Sequence, residues 1–563
     1  MKVLDADVSD FVFLFFKDHI HTWKTTRIAN DFLQKICGVR GFFANDTEIH
    51  LFAEKLKNTF VDQVCESPAE YGDYQTNPTL AFQITKKIKE NGISPQVVIE
   101  PTCGKGNFII AALNTFDTIK KIYGIEIQEK YVWQTKFNVL DFFLNNPQKA
   151  KPEITIIQSS IFDFDYSPIK KLVGSENLLI LGNPPWVTNS ALSAMDSVNI
   201  PQKSNFKQHK GLDALTGKGN FDIAEYITID LLRNFGKYNG NMAFLVKNTV
   251  IKNLVHSLPQ LKLNIADLKK LNIDSKKEFN VSVDASVFFC QLNKATEYSC
   301  QEANFYTSEK NCVFGWREGK FMSDLSCEHN EIDGVSPFEW RQGIKHDCSK
   351  VMELVYKDDF YTNKLGENFN LENDLIYPLL KSSDLKSLCA EPTQRRIIVT
   401  QNSVGQDTSY IKKFPQTFEY LNNHIHFFQL RKSSIYKGKN DFSIFGIGDY
   451  SFKPYKIAIS GLYKSFHFCL VKPQDGKPVM LDDTCYFIGF DTIEQAEFVW
   501  KLLNTDLVSE FLKSISFKDA KRMITKEILM RIDLKKVAKL KGKDILFFDE
   551  FTARQSGQLN FFA

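Results

Sequence analysis

The stretch LLILGNPPWVTNS (178–190) decides how the chain reads. Five apolar or small residues form a strand too hydrophobic to be half exposed, and the strand ends in Asn183-Pro184-Pro185-Trp186. Proline fixes φ and has no N–H, so Pro184 and Pro185 stiffen the backbone and leave their carbonyls free to accept hydrogen bonds. Asn183 adds an amide oxygen and Trp186 a broad aromatic face on what reads as a loop. Two acceptors beside a ring make a receptor for a planar group that carries an amino substituent. The alternative is a rigid turn whose tryptophan anchors the surface.

Similar strands precede and follow it. VVIE (97–100), IYGIEI (122–127), ITIIQ (154–158), NLLILG (177–182), MAFLV (242–246) and ASVFFCQL (285–292) alternate with helical periodicity. Continuous apolar runs separated by helices predict a parallel sheet covered on both faces, with ligands at the C-terminal ends of its strands. The first strand runs into EPTCGKGNF (100–108), where Gly104 and Gly106 let the backbone pass close to a ligand before the next helix opens. This is not G-x-G-x-x-G, which counts against a dinucleotide. Twenty-two residues beyond Gly104, the second strand delivers Glu126, a carboxylate suited to paired ribose hydroxyls. Either feature alone is compatible with a plain turn or a solvated acid; in register on consecutive strands they point to a nucleoside-like cofactor. After the third strand, Ile161 and Phe162 are placed to hold an adenine ring, or are simply core residues of a chain with 49 phenylalanines.

With 563 residues the chain exceeds a single core. Residues 1–70 read as a short helical N-terminal segment, 71–295 as the catalytic α/β domain, 296–335 as a polar linker, and 336–563 as a mixed α+β domain with a helical tail. Eleven cysteines without a C-x-x-C pair argue for reduced thiols, and the chain shows neither an apolar run long enough for a bilayer nor a signal segment at its start. A cytoplasmic location follows as the expectation. The net charge of +3 is unevenly distributed: between 377 and 475, 14 Lys and Arg face 7 Asp and Glu. Such a segment is either a solvated face or a contact for a polyanion.

The order and wording of these motifs resemble the S-adenosylmethionine-dependent DNA adenine-N6 methyltransferases of the gamma arrangement. In these enzymes the cofactor half comes first and target recognition lies at the C-terminus. YGDYQTNP (71–78) is similar to the motif preceding the sheet, EPTCGKGNF to the first cofactor motif, Asn183-Pro184-Pro185-Trp186 to the catalytic motif, and EFNVSVDASVFF (278–289) to a later motif carrying Phe279. The similarity covers roughly 71–295 closely and 336–563 loosely, through WRQGIKHD (340–347), YPLLKSSD (377–384) and FKPYKIAIS (452–460).

The resemblance implies a doubly wound, Rossmann-like methyltransferase sheet followed by a target-recognition domain, with S-adenosyl-L-methionine as cofactor and no metal. Cofactor contacts are implied at Thr76, Glu100, Thr102, Gly104 and Gly106, and at Glu126, Ile127, Ser160 and Ile161. Ser160 stands where the family usually carries an acid, so a hydroxyl, or Asp163 nearby, would take over that bond. Asn183, Pro184, Pro185, Trp186 and Phe279 are the implied catalytic set, with Trp186 and Phe279 on the two faces of an adenine flipped out of double-stranded DNA. Arg341, Lys345 and His346, with Arg395, Arg396, Arg431 and Lys432, are the candidate DNA contacts, and amide-bearing loops such as TQNSVGQD (400–407) are candidate base readers. A separate restriction or defence partner fits the same resemblance. Methyltransferases of RNA or protein-glutamine amino groups share the N-P-P-aromatic loop, and a catalytically idle DNA-binding subunit is a further alternative.

Overall fold

The computed structural model describes residues 2–57, 75–188, 221–281, 283–326, 331–517 and 522–543, together with 545 and 548. The chain divides into two compact units, 1–321 and 322–563.

The first unit is built on an eleven-stranded sheet. A short hairpin, β1 (Lys2–Val3) and β2 (Ala6–Asp7), precedes it. The sheet strands are β3 (Val39–Arg40), β4 (Val97–Glu100), β5 (Lys121–Glu126), β6 (Glu153–Gln158), β7 (Leu178–Gly182), β8 (Gly240–Lys247), β9 (Ile265–Asn272), β10 (Ala285–Leu292), β11 (Ser299–Asn304), β12 (Lys310–Arg317) and β13 (Lys320–Met322). Their order is β13-β12-β11-β9-β10-β8-β7-β4-β5-β6-β3. The stretch β3-β6-β5-β4-β7-β8 is parallel throughout, and β10 returns antiparallel between β8 and β9. All of β4 and β7 is buried, which is why their sequences read as unbroken apolar runs. From β4 the chain winds outward to β5 and β6, then returns to the other side of β4 as β7 and β8. The C-terminal ends of β4 and β7 therefore flank a topological switch point, where open α/β sheets form their ligand crevice.

All six strands read from the sequence are present, within two residues at either end. β9 escaped because IADLKKLN does not alternate cleanly: its buried Lys270 is neutralised by Glu302 of β11 at 3.1 Å. The stretch 296–335 is not a linker throughout, since β11, β12 and β13 extend the sheet there. Its polar composition hid an edge in which Cys300 and Ala303 alone of β11 are buried.

The N-terminal residues form helices α1 (Asp10–His19), α2 (Thr26–Cys37) and α3 (Asp46–Lys57), followed before β4 by α4 (Pro78–Glu90). They do not stand apart from the sheet. β3 pairs with β6, and an aromatic cluster of Phe16, Phe42 and Phe52 packs on Trp133 and Phe137 of α6 (Glu129–Asn145). Helix α5 (Asn107–Thr115) follows β4. Among the described residues no helix is long and apolar enough to cross a membrane.

The second unit holds a four-stranded antiparallel sheet, ordered 341–342, 485–490, 455–460, 469–471. A second sheet of six strands carries Glu353–Lys357 beside Arg395–Ile398. The helices Ile493–Leu503 and Asp506–Ile515 contribute Val499, Leu502 and Phe511 to one core with Ile457, Ile459 and Ile488.

Candidate active site

A cavity opens at the C-terminal ends of β4, β5 and β7. Its open space, bordering solvent included, is about 960 Å³. Eleven of the residues named from the sequence line it: Thr76, Glu100, Thr102, Gly104, Glu126, Ile127, Ile161, Phe162, Asn183, Pro184 and Pro185.

The turn after β4 is shaped by two glycines in left-handed backbone. At Gly104 (φ +50°) a Cβ would lie 2.6 Å from Gln75 Oε1, and at Gly106 (φ +76°) it would lie 2.7 Å from Thr135 Cγ2. Gly106 is also the N-cap of α5, so the turn delivers the chain directly into a helix. The loop is tied to the next strand by Glu126, whose Oε2 accepts from Gly104 N and whose Oε1 accepts from Gln128 N, both at 2.9 Å. A carboxylate oxygen has two lone pairs, so these backbone bonds leave Glu126 able to accept from a ligand as well.

Among the described residues, Glu100 Oε2 and Thr102 Oγ1 of the cavity wall are buried and have no hydrogen-bond partner. Buried polar groups are rarely left so, and a polar ligand would satisfy both. Burial pushes the Glu100 carboxyl well above its ordinary value, and the Glu126 charge adds to the shift.

The Asn183 loop leaves the end of β7. Asn183 Nδ2 donates to Thr76 Oγ1 at 3.1 Å, which sets the amide with Oδ1 as its acceptor end. Beyond the prolines, Val187 O accepts from Ile223 N at 2.9 Å, and Lys247 Nζ at the end of β8 reaches Asp222 Oδ2 at 2.6 Å. These contacts fasten the far side of the loop to the start of the helix Ile223–Phe235.

Four of the named residues do not line the cavity. Gly106 acts through the turn it caps. Ser160 Oγ accepts from Phe162 N at 3.2 Å and so caps a short 3-10 turn, while Ser159 takes the place in the wall. Trp186 is not on an exposed loop: it is 7% exposed, joins the main core, and donates Nε1–H to Leu245 O at 3.3 Å. Phe279 lies directly against it, ring centroids 5.1 Å apart and tilted by 60°. The two rings therefore hold no open slot for a base. Gln75, Asn107 and Phe108 of the wall lie inside the quoted motifs without having been singled out, and Tyr131 of α6 lies outside any of them.

In the second unit the candidate DNA contacts separate into two groups. Arg396 is buried and spent on Asp475 Oδ2 at 2.9 Å and on backbone carbonyls. Arg431 donates to the carbonyls of Phe428, Ser443 and Asp441 and lies 3.7 Å from the centroid of the Tyr436 ring. His346 is buried, accepts from Cys348 N at Nδ1 and faces Glu353 at 3.4 Å. These three hold the fold. Arg341, paired with Glu339 and set over Tyr450, and Arg395, paired with Asp384, are half buried; Lys345 lies 3.6 Å from Asp347, and Lys432 is exposed. Of the amides of TQNSVGQD, Gln401 turns inward, its Oε1 accepting from Ile444 N, whereas Gln406 Oε1 accepts from Asn402 N within the loop and Asn402 stays exposed.

A parallel sheet with an antiparallel return strand, a glycine turn held by an acid on the neighbouring strand, and a polar cavity at the switch point define a Rossmann-like α/β enzyme of the methyltransferase class. The type II methyltransferase M.NspV of Nostoc sp. is 39% identical to the chain over 485 residues, which cover 85% of this chain and 99% of that protein. The chain belongs to the type II methyltransferases. No protein-family model matches it. Among solved structures, a type IIL restriction-modification enzyme, MmeI, in complex with DNA aligns over 86% of this chain and 75% of its own, with TM-score 0.48 and 13% identity. The type IIG restriction endonuclease BpuSI aligns over 95% and 70%, with TM-score 0.34 and 13% identity. The methyl donor of the chain is S-adenosylmethionine. The cavity lining is chemically compatible with it: a carboxylate at Glu126, apolar side chains at Ile127 and Ile161, and buried polar atoms at Glu100 Oε2 and Thr102 Oγ1.

Proposed function

We propose that the protein transfers a methyl group to N6 of an adenine flipped out of duplex DNA, at sites selected by the second unit. The observation that carries this reading is the placement of Asn183-Pro184-Pro185 in the wall of the same cavity as Glu126, Glu100 and the glycine turn.

S-adenosylmethionine, when bound, supplies an electrophilic methyl carried on a sulfonium. Everything else falls to this chain. Glu126 accepts ribose hydroxyls, and the close-packed turn at Gly104 lets the backbone approach the cofactor. An exocyclic adenine amine is a poor nucleophile because its lone pair is delocalised into the ring. Asn183 Oδ1 and the Pro184 carbonyl accept hydrogen bonds from its two N–H groups, which draws the nitrogen toward tetrahedral geometry; its lone pair would form the new N–C bond as the C–S bond breaks, with a neutral thioether as leaving group and one amine proton released to solvent. Such fixed acceptors act by positioning and preorganised electrostatics, the terms that dominate when a direct displacement needs no covalent intermediate.

The adenine has to leave the duplex to reach this cavity, at a cost of a few kcal/mol. Stacking recovers about 1–3 kcal/mol. Because the rings of Trp186 and Phe279 are in contact, a base stacks there only after Phe279 moves off the indole; the indole itself is held in the core. Selection of the site belongs to the second unit, where exposed basic residues between 377 and 475, such as Lys432, suit phosphate contacts and side chains at base edges choose the sequence.

The test is incubation with S-adenosylmethionine labelled on its methyl group and mixed-sequence duplex DNA, followed by nucleoside chromatography. N6-methyladenine in duplex DNA, lost in Asn183→Ala, is the expected result. Label in RNA or in a protein glutamine, with none in DNA, would replace the substrate; label in cytosine would replace the base.

A further inference from the structure

Thr76, expected from the sequence to contact the cofactor, lines the cavity and also makes a second connection. Its hydroxyl oxygen accepts from Asn183 Nδ2 at 3.1 Å, across 107 residues of sequence. The residue is 4% exposed. Its backbone is clamped on the cofactor side: Thr76 O accepts from Asn107 Nδ2 at 2.7 Å, and the neighbouring Gln75 Oε1 accepts from Lys105 N at 3.1 Å. Asn77 caps α4, taking Thr79 N at 2.8 Å, so the segment also ends in a fixed helix. Residues 75–77 thus run as a strap from the glycine turn to the catalytic loop, pinned at each residue.

From this geometry we infer that Thr76 is a positioning residue for the methyl transfer, acting through Asn183. The inference rests on the reading of Asn183 as the acceptor of the target amine. A primary amide rotates about its last side-chain torsion in a broad, two-fold well, so one end has to be held for the other to stay aimed. The rigid prolines fix the backbone of the loop but place no restraint on that torsion. Thr76 supplies it by holding the nitrogen end while Oδ1 stays as the acceptor end. Because the strap is tied to Lys105 and Asn107 beside the cofactor turn, the amide is referenced to the donor's binding loop as well as to its own strand.

The experiment compares Thr76→Val, which keeps shape and loses the hydroxyl, with Thr76→Ser, which keeps the hydroxyl. Three quantities are measured for each: single-turnover methyl transfer with cofactor and DNA both saturating, the dissociation constant for S-adenosylmethionine by calorimetry, and the melting temperature. A misplaced reacting group costs about a hundredfold in rate. Thr76→Val is expected to lose about that factor in the transfer step with cofactor affinity within about threefold of wild type, and Thr76→Ser to recover most of it. A full transfer rate in Thr76→Val overturns the inference. So does a rate restored simply by raising the cofactor concentration, which would return Thr76 to the cofactor site. A lowered melting temperature with an equal rate loss in Thr76→Ser overturns it in favour of a packing role. Should the wild type label an amino group other than adenine N6, the proposed substrate fails, and the Val–Ser split on that product still decides the role of Thr76.

Discussion

The indole of Trp186 and the ring of Phe279 lie 5.1 Å apart, tilted by 60°, with the indole N–H bonded to the carbonyl of Leu245 on β8. An aromatic that follows an Asn-Pro-Pro loop is thereby a buried anchor in this state. Truncating a buried Trp costs about 3–5 kcal/mol. Trp186→Ala should lower the unfolding free energy by an amount of that order, read as a lower denaturant midpoint. Trp186→Phe, which keeps a ring and loses the N–H, should cost far less. Equal midpoints for wild type and Trp186→Ala would show that the indole is not packed as described.

Glu126 holds the glycine turn through two backbone bonds and presents its carboxylate to the cavity. Glu126→Ala should raise the dissociation constant for S-adenosylmethionine at least tenfold in calorimetry. Unchanged affinity would remove Glu126 from the cofactor site.

The pH behaviour of Glu100 follows from its burial. A carboxyl whose pKa is raised in the fold is more protonated there than in the unfolded chain, so its stabilising contribution is complete below the ordinary value of 4.5 and is lost as pH rises through the raised value. In the cofactor-free protein, stability should fall as pH rises above about 4.5, and Glu100→Gln should flatten that part of the profile. Urea unfolding of both proteins at a series of pH values measures the difference.

Lys456 in the second unit gives the opposite slope. Its side chain is fully buried among sheet residues, with Nζ donating to Lys453 O at 2.7 Å, and burial lowers its pKa to about 7 from 10.5. A lysine depressed in the fold binds fewer protons there than when unfolded. Its contribution is therefore complete above 10.5 and is lost as pH falls through about 7. Wild type should gain stability between pH 7 and pH 10, and Lys456→Met should lose that gain, as read from melting temperatures across the window.

Among the basic residues of the second unit, Lys432 is exposed whereas Arg431 is bonded to four backbone carbonyls. Lys432→Ala should weaken DNA binding without changing the melting temperature, and should reduce the slope of log affinity against log salt by about one. Arg431→Ala should instead lower the melting temperature. A Lys432→Ala protein with unaltered salt dependence would take this lysine out of the DNA surface.

The parts legible in the chain were local ones. Six strands, the glycine turn, the acid ending β5 and the stiff loop after β7 each show in a few consecutive residues, because periodicity, fixed φ and missing side chains act over that range. Strands β9 and β11 were illegible because a buried Lys270 and its partner Glu302 look polar until they are paired. The tertiary structure alone decided that β4 and β7 lie side by side, that Thr76 meets Asn183, that Trp186 faces the core, and that Arg396 and Arg431 spend their charge inside the protein. Each of those outcomes joins residues far apart in the chain. Such contacts form only where the packing of the whole unit lowers the free energy enough to hold them, and no short window of sequence carries that sum.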